Sequence, residues 1–279
     1  MRFVKLHGSG NDFVVFDNRR GEVEEFIKAL GIGMKEFVVK VCSQHTGVGA
    51  DGLILIENPD DPQNDFKWQF FNSDGSVAGM CGNGSRCAVR FAYENGITGE
   101  DVRFEALVGV VKARVLEKGK RVKVLLTQSH GYRNITVWMN DEKLDGSFIN
   151  TGVPHFVVLV EDIENFDVVR YGRNIRFHEE FKPYGTNATF VKVTSGKSIS
   201  IRTYERGVES ETLSCGTGAA AAAIVSYKNR LVKDKPIDVV TKGGDVLKID
   251  FDDELKEVFL EGSVCKVFDG FLHKELFEY

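Results

Sequence analysis

Two short stretches constrain this chain more than anything else in it: MCGNGSR from Met80 to Arg86, and SCGTGAA from Ser214 to Ala220. Shifted by 134 positions, CGNGSRCAVRFAYEN lies over CGTGAAAAAIVSYKN with six identities in fifteen positions. The identical pairs are Cys81/Cys215, Gly82/Gly216, Gly84/Gly218, Ala88/Ala222, Tyr93/Tyr227 and Asn95/Asn229. Phe70 and Tyr204 fall in the same register, and upstream NDFVVFD echoes PHFVVLV at Pro154 to Val160 with a slightly different offset. Self-similarity of this kind marks a chain built from two related halves, and 279 residues suit two domains of ordinary size.

Strand patterning dominates each half. Runs such as FVVFD, LILIE, KWQFF, RVKVLL, NITVWM, HFVVLVED, SISIRTYE and VLKIDF are β-branched or aromatic and often alternate. Helical periodicity is confined to about Glu22–Leu30, Lys35–Cys42, Gly84–Glu94 and Gly218–Asn229. GAAAAAIVSY is small and apolar on every side, which suits a helix enclosed by sheet better than one with a wet face. The expected class is α+β: two pseudo-symmetric domains, each a mostly antiparallel sheet curled around one central helix that starts just after its cysteine. The expected boundaries are 1–127, with about 267–279 returning to the first half, and 128–266, with the polar stretch TQSHGYRN from Thr127 to Asn134 as linker.

Composition narrows the function. Hydrophobic residues at 42% and charged residues at 28% are those of a packed protein, and the net charge of −5 with scattered Lys and Arg offers no footprint for nucleic acid or an anionic membrane. No apolar run is long enough for a membrane helix and the N-terminus turns polar too early for a signal peptide, so the expected address is the cytoplasm and the expected ligand small. Five cysteines with no C-x-x-C pair argue against structural disulfides and zinc. Cys42, Cys87 and Cys265 read as small buried hydrophobes. No Walker loop, dinucleotide fingerprint or metal-ligand spacing is present.

Cys81 and Cys215 read differently. A thiol just ahead of a helix meets unpaired N–H groups and the positive end of the helix dipole, both of which favour thiolate. The same N–H groups can hold a carboxylate, and the glycines let the backbone close on it. Should the two halves face each other, one sulfur lies on each face of the carbon beside that carboxylate. One thiolate then removes a Cα proton while the other thiol delivers one to the opposite face, and the stereocentre inverts. Charge developing on the carboxylate is stabilised by the helix ends, and two thiols would make a pyridoxal phosphate lysine redundant.

The residues also resemble a known family. KLHGSGNDFVVFD, GVGADGLILI, FFNSDGSVAGMCGNGSRC, TGVPHFV, GTNATFV, YERGVESETLSCGTGA and VFDGFL, spread over essentially the whole chain, are similar to the diaminopimelate epimerases, within the wider group that includes proline racemases and phenazine-biosynthesis isomerases. The resemblance implies an isomerase that uses no cofactor and no metal, interconverting LL- and meso-diaminopimelate for lysine and peptidoglycan precursor synthesis. It implies Cys81 and Cys215 as the two bases. Asn11, Gln44, Asn72, Asn187, Glu205 and Arg206 would line the substrate site, and backbone N–H groups of Gly82, Asn83, Gly216 and Thr217 would hold the reacting carboxylate. His155 and Glu205 would tune the protonation of the cysteines. A homodimer is implied, formed near Phe268, where relatives carry tyrosine.

Taken residue by residue, blander readings stand beside these. Asn11, Asn72 and Asn187 sit next to turn-forming residues, Gln44 reads as a loop residue, His155 as a satisfied interior histidine, and Glu205 with Arg206 as a surface pair. Many members read Gly-Asn-Pro-His where this chain has Gly-Val-Pro-His, so Val153 stands where an asparagine would meet the distal end of the substrate. A racemase of another amino or imino acid, and an amino-acid-binding protein without turnover, are the alternatives. The presence of both thiols speaks against the second, because binding alone needs neither.

Overall fold

The computed structural model describes residues 1–139 and 142–278. The chain divides into two compact units, Met1–Val124 with Ser263–Tyr279, and Leu125–Gly262.

In the first unit the strand Arg2–Gly8 pairs antiparallel with Asn11–Asp17, and Cys265–Phe271 returns to pair antiparallel with its other edge. Helices α1 (Glu22–Leu30) and α2 (Met34–Cys42) then carry the chain to Gly52–Glu57, which lies parallel to Asn11–Asp17. Phe66–Asn72 runs antiparallel to that strand, and the chain enters α3 (Gly82–Glu94). Asp101–Ala106 follows parallel to Phe66–Asn72, with Gly109–Leu116 and Arg121–Leu125 added antiparallel. The strands FVVF and LILI are continuous apolar runs because both of their faces are covered. Phe13, Val15, Ile54, Ile56, Trp68 and Phe70 pack on Cys87, Ala88 and Phe91 of α3. The alternate residues Val14, Phe16, Leu53 and Leu55 pack on Val23 of α1 and Phe37 and Val41 of α2.

The second unit repeats this order of pairings. Glu142–Asn150 is antiparallel to Pro154–Leu159, which runs parallel to Asn187–Val193, itself antiparallel to Ser198–Glu205. Ile237–Val240 lies parallel to the last of these, and Val246–Phe251 and Val258–Ser263 complete the series antiparallel. Helix α4 (Val168–Arg176) takes the place of α1 and α2, and α5 (Gly216–Lys228) that of α3. From Ala219 to Ser226 every residue of α5 is buried. An all-round small, apolar surface is what lets strands approach the helix from every side.

Several expectations need correction. Helix α4 does not show in the hydrophobic pattern, because VVRYGRNIR carries three arginines and a central glycine. Its signals are the Asp167 cap, which accepts from Arg170 N at 3.1 Å, and the stripe of buried Val168, Gly172 and Ile175. The upstream echoes are each out of step by one residue. Phe13 packs against α3, but Phe156, aligned with it in the sequence, packs with Val168 and Ile175 of α4. Phe70 and Tyr204 part in the same way. A one-residue slip moves a strand side chain to the opposite face, so His155, not Phe156, is the counterpart of Phe13. Cys42 and Cys87 are buried as expected, but Cys265 is exposed on a strand whose residues are nearly all exposed. The polar stretch read as a linker enters the strand His130–Met139 at its fourth residue. Among the described residues, no helix is long and apolar enough to cross a membrane.

Candidate active site

Cys81 is the N-cap residue of α3 and Cys215 that of α5, and the two caps are built alike. Both have extended backbone, with φ −146° and ψ 118° at Cys81 and φ −120° and ψ 110° at Cys215. In each, the amide N–H three residues on donates to the sulfur at 3.4 Å, from Gly84 to Cys81 and from Gly218 to Cys215. The thiol thus occupies the place a serine or aspartate oxygen takes in an ordinary cap, where an orphan N–H and the helix dipole favour negative charge. Space at Gly218 is tight, since a Cβ would lie 3.0 Å from Thr203 Oγ1 and 3.3 Å from Cys215 Sγ.

In the first unit Cys81 belongs to a polar group on the ends of several elements. Its Sγ lies 3.6 Å from Asn11 Oδ1, which also accepts from Asn83 Nδ2 at 3.2 Å. Asn11 Nδ2 donates to Asp51 at 2.7 Å, and Asp51 and Asp12 exchange backbone-to-carboxylate bonds in both directions. Lys5 pairs with Asp12 at 2.7 Å and donates to the carbonyl of Gly49, against whose α-carbon the Gln44 side chain packs. Asn72 is exposed and donates to Ser76 at 3.0 Å. Of the residues expected in this half, the structure therefore joins Asn11, Asn83 and Cys81 directly and reaches Gln44 through Lys5. The Asn72 side chain bonds within its own turn. The other two buried thiols stay protonated: burial pushes Cys42 up to about 12 and raises Cys87 strongly.

In the second unit His155 is fully buried and links three groups. Its Nε2 lies 3.0 Å from Thr217 Oγ1 and 3.3 Å from Asn187 Nδ2, and its Nδ1 lies 3.1 Å from Thr189 Oγ1. Thr217 Oγ1 is in turn 3.4 Å from Cys215 Sγ. The Arg206 backbone N–H donates to Asn187 Oδ1 at 2.6 Å, which turns the Asn187 amide nitrogen toward the imidazole. Nε2 is then an acceptor, so the ring proton sits on Nδ1 and is given to Thr189. Arg206 also donates to the Tyr184 carbonyl, and Glu205 accepts from Thr212 at 2.9 Å. The side chains of Asp51, Thr189 and Thr217 were not singled out by sequence reasoning. Asp51 stands inside GVGADG, and its signal there is its register opposite Asp12 on the neighbouring strand.

Desolvation, and secondarily the charge of Arg206, drives the His155 pKa down to about 3. The imidazole is neutral, so what joins it to Cys215 by way of Thr217 is hydrogen bonding and not charge. Between pH 6.5 and 3 the unfolded chain binds a proton here that the folded chain refuses. Stability is fully present above this window and is lost as pH falls through it. From pH 7 to pH 5 the expected loss is about 2 kcal/mol, measured by urea unfolding as a difference absent from His155→Gln.

Solved structures of low sequence identity share the fold. A probable proline racemase from Agrobacterium radiobacter K84, with bound carbonate, superposes with a TM-score of 0.70 at 14% identity, covering 98% of this chain and 92% of that one. A phenazine biosynthesis protein of the PhzF family from Bacillus anthracis gives 0.69 at 14% identity, covering 97% and 98%. The architecture is thus one shared with racemase-type and phenazine-biosynthesis proteins. Sequence relatives are more specific. The diaminopimelate epimerase family model matches residues 3–130 and 147–267. The diaminopimelate epimerase of Aquifex aeolicus (strain VF5) is 63% identical over 279 residues, covering all of both chains, and that of Hydrogenobaculum sp. (strain Y04AAS1) is 50% identical, covering 99% of this chain and 100% of its own. The chain belongs to the diaminopimelate epimerase family.

Proposed function

We propose that this chain interconverts LL-2,6-diaminopimelate and meso-diaminopimelate without a cofactor, with Cys81 and Cys215 as the two bases. The observation that carries the reading is a thiol cap built twice: one sulfur at each central helix N-terminus, each held by an N–H three residues on. A thiolate takes the Cα proton, the electron pair spreads into the adjacent carboxylate, and the other thiol delivers its proton to the opposite face. The enzyme is left with thiol and thiolate exchanged. Backbone N–H groups of Gly82, Asn83, Gly216 and Thr217 hold the reacting carboxylate. Asn11, Gln44, Asn72, Asn187, Glu205 and Arg206 bind the rest, Arg206 suiting the second carboxylate through its planar fork.

The product serves lysine and peptidoglycan precursor synthesis in the cytoplasm. A homodimer forms along Cys265–Phe271, where Val267, Phe268 and Phe271 are 53%, 45% and 77% exposed. The test is proton NMR of LL-diaminopimelate with the purified chain in deuterium oxide, no cofactor added. Deuterium entering Cα as the meso isomer appears is the expected result. Diaminopimelate left unchanged would overturn the substrate and turn attention to Val153, whose side chain cannot hydrogen-bond a distal polar group.

A further inference from the structure

The two caps match, yet the groups behind the sulfurs do not. Asn11 is oriented without ambiguity: the Asp51 carboxylate can only accept, so it takes Nδ2, and Oδ1 is left facing Cys81 and Asn83. A carbonyl oxygen accepts from S–H but repels S⁻. The two carboxylates of Asp12 and Asp51 stand behind it, their charge disfavouring a further anion. The corresponding place in the second unit, two residues ahead of the first side chain facing the central helix, is Val153, which brings no carbonyl. Cys215 instead meets a hydroxyl. Because Asn187 donates to His155 Nε2, Thr217 has its own proton available for the sulfur at 3.4 Å.

We propose that the resting thiols are unlike: Asp51, acting through Asn11, keeps Cys81 protonated, and the Thr217 hydroxyl lets Cys215 rest as the thiolate. Asp51 is a positioning residue: it acts on Cys81 through the direction in which the Asn11 amide points, and its charge works in the same sense. The inference gives the two bases of the proposed epimerisation their starting roles, acid at Cys81 and base at Cys215, and in that sense rests on it. Other charges bear on the balance. Lys5, paired with Asp12, and the buried Arg86 on α3 oppose the carboxylates around Cys81; Glu205 and Arg206 flank the Cys215 side, where His155 is uncharged.

The test is the pH dependence of iodoacetamide alkylation of the full chain without substrate, read at each cysteine by peptide mass spectrometry. Midpoints, not absolute rates, are compared, because Cys81 is the more accessible sulfur. The expected midpoint for Cys215 lies at least about one pH unit below that for Cys81. Asp51→Asn frees the Asn11 amide to turn and lowers the Cys81 midpoint by about one unit while leaving Cys215 unmoved; Asp51→Glu retains the wild-type value. Thr217→Val raises only the Cys215 midpoint. Equal or reversed midpoints in the wild type, or an Asp51→Asn profile identical to wild type, overturn the proposal. None of these readings needs turnover. An inactive chain with split midpoints would sink the function and leave the asymmetry, and an active chain with equal midpoints would do the reverse.

Discussion

Alanine at Cys81 or at Cys215 lowers epimerisation at least about 1,000-fold, and alanine at both lowers it little further. Inversion needs a proton removed from one face and another supplied to the opposite face, so losing either sulfur breaks the same reaction. The two losses therefore do not add. The substitutions also strip a helix cap, leaving the Gly84 or Gly218 N–H without its sulfur, which costs about 1 kcal/mol. Cys81→Ser and Cys215→Ser separate these effects. A serine oxygen is a better cap than sulfur but does not ionise near neutral pH, so stability is kept while turnover is lost. The check is the rate of meso product formation beside a urea midpoint for each variant. A serine variant with near wild-type turnover would show that the sulfur is a cap and no base.

Local signals made the centre of each half legible. Cys-Gly-x-Gly ahead of a small-residue helix needs only a few neighbouring residues to be read, and both helices begin within two residues of where periodicity places them. Family likeness supplied the polar residues, but not what they touch. Nothing short-range indicates that Asn187 is turned by the Arg206 backbone, or that Asn11 is turned by Asp51; both depend on the register of strands far apart in sequence. The upstream repeat shows the limit well. FVVF and FVVL share three letters in four, and the match is one residue out of step, because a strand buried on both faces has no alternation to fix its register. Helix α4 was hidden for the opposite reason: its buried stripe is only three residues wide and the rest is arginine-rich.

Arg86→Ala destabilises the chain by about 2–5 kcal/mol, the range for emptying a large, fully buried site whose hydrogen-bond partners stay behind. In sequence Arg86 lies over Ala220 of the second repeat. The structure makes it one of the largest side chains with no exposure at all. Its three nitrogens reach separate pieces of the first unit: Nη2 donates to Ser9 Oγ at 2.8 Å, Nη1 to the Gly82 carbonyl at 3.4 Å and Nε to the Ser263 carbonyl at 3.4 Å. A side chain at Gly8 would press on the same guanidinium, its Cβ 3.0 Å from Nη2. The turn before Asn11, the first residue of α3 after Cys81 and the returning C-terminal segment are thus tied at one point. Alanine removes the one group those acceptors share and opens a cavity. Lysine keeps the charge but lacks the fork, so Arg86→Lys recovers only part of the loss. Urea unfolding of the three proteins measures it. A loss below about 1 kcal/mol for alanine would mean that water enters and takes over the three acceptors, and the tie between Ser9, Gly82 and Ser263 would then count for little.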